Sequence, residues 1–135
     1  MPEICWNPSL NIGVADIDEQ HEKLTGLINE LYQSYAAGRA KEIITRIIGE
    51  LSDYACYHFG TEEKLMAENG YPERDVHVAQ HRVFMEKTIG FLVDTTKGEE
   101  ELSTEVLDYL TDWWLGHIRG TDMRLAAFLK EKGKA

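Results

Sequence analysis

The stretch ITRIIGELSDYACYHFGTEEKL, residues 44–65, decides the fold. Ile44, Ile47, Leu51, Tyr54, His58, Glu62 and Leu65 recur at intervals of three or four, with no proline between them. That period puts all of them on one stripe of an α-helix, and the apolar members turn the stripe toward a core. A histidine and a glutamate four residues apart on such a stripe are weak evidence of anything alone. Their meaning depends on where the other histidines fall.

Working outward, the same alternation returns on both sides. His21, Leu24, Ile28, Leu31 and Tyr35 form a stripe before it, with Asp16 or Asp18 as the expected helix cap and Gly38 as the terminator. Asn69-Gly70 ends the second helix in the left-handed manner, and Pro72 opens the next segment. His77, His81, Phe84, Thr88 and Phe91 make a third stripe, interrupted at Lys97-Gly98, and Leu110, Trp114 and His117 belong to a fourth. Helices are therefore expected at about 17–37, 41–68, 73–95 and 102–130, after an irregular arm of about residues 1–15, all within a single domain 1–135. Short turns between amphipathic helices favour an all-α, up-down-up-down antiparallel four-helix bundle. At ~1.5 Å per residue its helices span roughly 30 to 40 Å.

Composition narrows the function. A net charge of -10 disfavours nucleic acid and anionic membrane, which need a positive surface, so neither is expected as a partner. No stretch is long and apolar enough for a membrane span, and MPEICWNPSL lacks the pattern of a secretion signal, so the cytoplasm is the expected location. The short polar tail LKEKGKA favours a free-standing protein. Cys5 and Cys56 are too few for a disulfide scaffold and are expected as small buried or half-buried apolar residues.

All five histidines, His21, His58, His77, His81 and His117, lie on core stripes. One buried histidine is usually a packed residue with satisfied nitrogens. Five in one small core require partners for every ring nitrogen, and metal ions supply them economically. His77 and His81 stand one turn apart and can grip one ion together, as can His58 and Glu62. A second carboxylate comes from Asp122, five residues after His117, where a regular helix would turn it away. The stripe itself slips there, reading Leu110, Trp114, His117, then Asp122, Leu125 and Leu129. One extra residue near Gly116 to Gly120 explains the slip and predicts a π-bulge that returns Asp122 to the core. Five imidazoles and two carboxylates exceed the needs of one ion and suit two, bridged by the carboxylates with one position open. Mixed imidazole and carboxylate ligands favour iron, with manganese next.

With these residues in view, the chain resembles the bacterial hemerythrins (bacteriohemerythrins) along nearly its whole length. The matching pieces are GVADIDEQHEKL around His21, HFGTEEKLM around His58 and Glu62, HVAQH for His77 and His81, and HIRGTD for His117 and Asp122, with Trp6 as an early aromatic in the arm. The resemblance implies two iron ions per chain in an oxo- or hydroxo-bridged di-iron centre that binds dioxygen reversibly. By resemblance His77, His81 and His117 hold one iron, His21 and His58 hold the other, which takes dioxygen, and Glu62 and Asp122 bridge the pair.

Histidine-rich ligation favours carriage over catalysis, because neutral imidazoles stabilise the ferric state less than the glutamates of ferritin-like di-iron enzymes. Phe59, Leu24, Trp113, Trp114 and Ile118 are expected to keep the pocket apolar. Trp114 departs from the leucine usual in the family at that position; it either narrows the oxygen pocket or is plain core packing. Glu63 and Glu68 are expected on the solvated face, Glu99, Glu100 and Glu101 as a charge run at a helix start, and Arg119 on the surface. Tyr54 is expected to hydrogen-bond behind the ligands, more than Tyr57. The expected function is therefore that of an oxygen carrier, store or buffer and not an enzyme. The alternatives are an oxygen or redox sensor acting on a protein partner, and peroxidase or nitric-oxide chemistry at the same centre.

Overall fold

The structure, a computed structural model, describes residues 4, 6–39, 41–97 and 104–133. Its helices are α1 (Ala15–Ala36), α2 (Lys41–Asn69), α3 (Arg74–Lys97), α4 (Thr104–Gly116) and α5 (Met123–Glu131). A π-helical turn, His117–Asp122, fuses α4 and α5 into one rod. The four rods form an antiparallel four-helix bundle, α1 against α2, α2 against α3, and α4 returning to α1. No strand occurs among the described residues.

The turns follow from local chemistry. Gly38 and Gly70 both take φ of 65°, the left-handed conformation that closes α1 and α2 without a Cβ penalty. Past Gly70, the Tyr71 amide donates to the Met66 carbonyl at 3.0 Å and satisfies one of the end groups of α2.

Side chains from all four rods build the main core, including Leu24, Ile28, Leu31, Ile47, Leu51, Phe84, Leu107, Leu110 and Trp114. Met66, Tyr71, Leu125 and Leu129 form a second apolar cluster at one end of the bundle. Along α2 and along the fourth rod, the polar residues His58, Glu62, His117 and Asp122 fall between these clusters. A buried polar layer is thus sealed by apolar packing above and below it.

The arm is tied down by a reciprocal pair of bonds. Asn29 of α1 accepts from the Ile4 amide at 2.9 Å and donates to the Ile4 carbonyl at 2.8 Å. A short 3-10 turn at Pro8–Leu10 follows, Leu10 and Ile12 are buried, and Trp6 is half-buried.

Several expectations need correcting. Neither Asp16 nor Asp18 caps α1, because the helix begins at Ala15 with Val14 as an extended N-cap residue. Asp18 sits in the first turn and reaches back instead, accepting from the amides of Ile12 at 2.7 Å and Gly13 at 3.2 Å. Cys56 is exposed rather than buried: it follows Ala55 by one helical step and lies on the outer side of α2. Cys5, the charge run Glu99 to Glu101 and the start of the fourth helix near residue 102 lie outside the described residues.

Candidate metal centre

The buried layer contains all seven candidate ligands. His21 enters from α1, His58 and Glu62 from α2, His77 and His81 from α3, and His117 and Asp122 from the two ends of the π-helical turn. Each is buried, none more than 3% exposed. The i,i+4 spacings act as expected, since one helical turn stacks the paired side chains on a single face. The π-helical turn lies at the slip in the stripe and absorbs the extra residue, so that both of its end residues face inward.

The contacts fall into two sets sharing the carboxylates. Glu62 Oε1 lies 2.8 Å from His81 Nε2, 3.3 Å from His77 Nε2 and 3.8 Å from His117 Nε2. Its other oxygen, Oε2, lies 3.6 Å from both His21 Nε2 and His58 Nε2. Asp122 divides in the same way: Oδ1 lies 3.1 Å from His77 and His117 Nε2, and Oδ2 lies 3.0 Å from His21 Nε2. One set is Glu62, His77, His81, His117 and Asp122, the other His21, His58, Glu62 and Asp122, and within each set the ligand atoms lie within 4.8 Å of one another.

Outer partners orient three of the rings. His58 Nδ1 meets Gln20 Oε1 at 2.8 Å, His81 Nδ1 meets Glu63 Oε2 at 3.0 Å, and His117 Nδ1 meets Gln80 Oε1 at 3.1 Å. The Glu63 carboxylate accepts only, so the His81 proton sits on Nδ1 and the Nε2 lone pair faces inward; the amide oxygens impose the same tautomer on His58 and His117. Thr121 donates to Gln80 Oε1 at 2.6 Å and fixes that amide. Glu63 is thus a correction to the sequence reading, half-buried and bonded to a candidate ligand instead of solvated. Gln20 and Gln80 had no signal in the helical period. Tyr54, expected behind the ligands, packs at the rim beside Tyr57 and under the Lys23 ammonium, 4.7 Å from its ring centre, and Gln20 takes the position behind His58.

Aromatic rings enclose the layer. Phe59 stacks on His81 at 4.0 Å, Trp113 stacks on His117 at 4.5 Å, and Trp114 stands edge-on to His21 at 5.2 Å. Leu24 and Ile118 are fully buried beside them. Trp114 is buried throughout and its Nε1 donates to Thr25 Oγ1 at 2.8 Å. Arg119 points to solvent.

The electrostatics reflect opposing pressures. Burial pushes the Glu62 carboxyl up, but His117, His21, His77 and His81 hold it well below the usual carboxylate range. Burial and Glu62 push Asp122 up as well, and His117 and His21 bring it below its ordinary value. For His21 and His77, burial alone would lower the imidazole, yet the adjoining carboxylates raise each to about 9. His58, where burial outweighs Glu62, is lowered to about 4.

The donor set fits metal ions. His21 Nε2, His58 Nε2, Glu62 Oε2 and both oxygens of Asp122 are buried without a hydrogen-bond partner. Each such atom costs about 1–3 kcal/mol if left unsatisfied. These atoms converge on common points, so cations there would satisfy them together. Imidazole nitrogens mixed with carboxylate oxygens, and no thiolate, suit iron better than zinc or calcium.

Comparisons agree with this chemistry. The family model of the hemerythrin HHE cation binding domain matches residues 12–129. A bacteriohemerythrin of Stenotrophomonas maltophilia is 33% identical over 130 residues, covering 96% of this chain and 84% of the relative. One of Pseudomonas aeruginosa is 33% identical over 122 residues, covering 90% and 78%. Among solved structures, a leucine-to-alanine mutant of hemerythrin is 25% identical, covers 100% of both chains and superposes with a TM-score of 0.90.

Proposed function

The chain belongs to the hemerythrin family of di-iron oxygen-binding proteins, and from that premise we propose that it takes up and releases dioxygen as a carrier, store or buffer, without turning over a substrate. His77, His81 and His117 would hold one iron, His21 and His58 the other, and Glu62 and Asp122 would bridge them. The observation carrying this reading is the division of each carboxylate, one oxygen toward each histidine set. When bound, the two irons supply the two electrons that reversible oxygen binding requires.

The protein's own groups do the rest. The unequal sets, three histidines against two, would leave an ion on the two-histidine side with fewer protein ligands, and so with a coordination position for a small diatomic. Phe59, Trp114, Leu24 and Ile118 keep water from that layer, which slows proton delivery and irreversible oxidation. Every histidine of the chain belongs to the cluster, so none is left as a general base for a bound substrate. No described helix is long and apolar enough to cross a membrane.

An oxygen electrode tests the proposal. Anaerobic ferrous protein should take up about one dioxygen per two irons and return most of it on deoxygenation, through repeated cycles. Sustained turnover of peroxide or nitric oxide at a rate exceeding this loss would assign the centre to catalysis instead.

A further inference from the structure

We propose that Glu63 is a positioning residue that widens the inequality of the two metal sub-sites, its charge acting through His81 to strengthen the three-histidine set. The inference rests on the di-iron reading above. It starts from what stands behind each ring. His58 and His117 donate from Nδ1 to the neutral amide oxygens of Gln20 and Gln80, while His21 and His77 have no hydrogen-bond partner at Nδ1. Of the five Nδ1 atoms, only that of His81 meets a carboxylate.

An imidazole that gives its N–H to a carboxylate gains electron density at the opposite nitrogen and becomes a stronger ligand, especially for a more highly charged ion. The stacked Phe59 ring, 4.0 Å away at 11°, covers one face of His81 and limits the water that would screen this effect. Glu63 keeps part of its side chain in solvent, 36% exposed, so its charge does not carry the full cost of burial. On the two-histidine side the corresponding partner, Gln20, is itself only 8% exposed and held by Thr61 at 3.4 Å, polar but uncharged. The three-histidine sub-site should therefore fill first and hold its ion more tightly.

The test is a calorimetric titration of the metal-free full chain with cobalt(II) under argon, resolving two binding constants. Glu63→Gln keeps a hydrogen-bond acceptor and removes only the charge. It should lower the tighter constant about 10- to 100-fold and leave the weaker one as it was. Glu63→Asp should restore most of the loss, and Gln20→Glu should raise the weaker constant and narrow the gap. In the iron-loaded protein, Glu63→Gln should also raise the reduction potential of one iron. An unchanged tighter constant in Glu63→Gln, or an equal drop in both constants, overturns the proposal, because a merely orienting acceptor survives that substitution. Fewer than two ions bound by the unaltered chain contradicts the di-iron reading itself.

Discussion

Trp114 stands edge-on to His21, ring centres 5.2 Å apart at 90°, with its indole nitrogen donating to Thr25. It also lies 5.8 Å from the His58 ring, so a single buried side chain covers both histidines of the smaller set. The sequence raised two readings of this residue, narrowing of the pocket or simple packing, and its position serves both at once. Trp114→Leu should cost about 2 kcal/mol of stability through lost volume and an unpaired Thr25 hydroxyl. The same change should speed both oxygen exchange and autoxidation, measured by stopped-flow and by decay of the oxygenated spectrum. Unchanged kinetics in a folded Trp114→Leu protein would leave only the packing role.

Asp122→Asn keeps the size of the side chain and removes a charge shared by both sets. Fewer than two irons per chain should then remain after dialysis, counted by elemental analysis. In the metal-free variant, His21 and His77 should titrate well below about 9, since Asp122 is the main group holding them up against burial. Proton NMR of the imidazoles follows this directly.

The pH dependence of metal-free protein has a definite sign. His21 and His77 bind protons more tightly folded than unfolded, so their contribution is full below about 6.5 and is lost as pH rises through about 9. Each is worth about 3 kcal/mol at most. Glu62 and Asp122 act oppositely, with stability present above the ordinary carboxylate range and lost as pH falls through their depressed values. His58, lowered to about 4, adds to the acid loss below about 6.5. Chelator-treated protein should therefore lose stability from neutral pH toward pH 9, and metal-loaded protein should not, because bound ions displace those protons. Parallel chemical denaturation series at several pH values distinguish the two.

Gly70→Ala probes the turn that sets α2 against α3. The residue adopts φ of 65°, and an added Cβ would meet nothing within 4 Å, so the cost is conformational alone. It should amount to about 1 kcal/mol, with two irons still bound. A larger loss or a loss of iron would show that the turn constrains the register of Glu62 and His77 more closely.

Much of this was legible because helical period and metal chemistry reinforce each other. His21, His58, His77, His81 and His117 could be placed by spacing alone, and the slip between His117 and Asp122 marked the π-helical turn. The outer partners were not legible. Glu63 is a step of 100° from Glu62, on the flank between core and solvent, where a long side chain can turn either way. Gln20 precedes His21 and serves His58 on another helix, a relation set by packing rather than by spacing. Tyr54 failed for a related reason: sharing the stripe with His58, it lies a full turn away along the axis, at the rim beside Lys23.

The most direct test of a reversible di-iron oxygen site is an iron titration of metal-free protein under argon, followed by optical spectra in air and again under argon. Binding should saturate at two irons per chain, a charge-transfer band should appear in air, and it should vanish when oxygen is removed. Saturation at one iron or none, or a band that persists under argon, would contradict it.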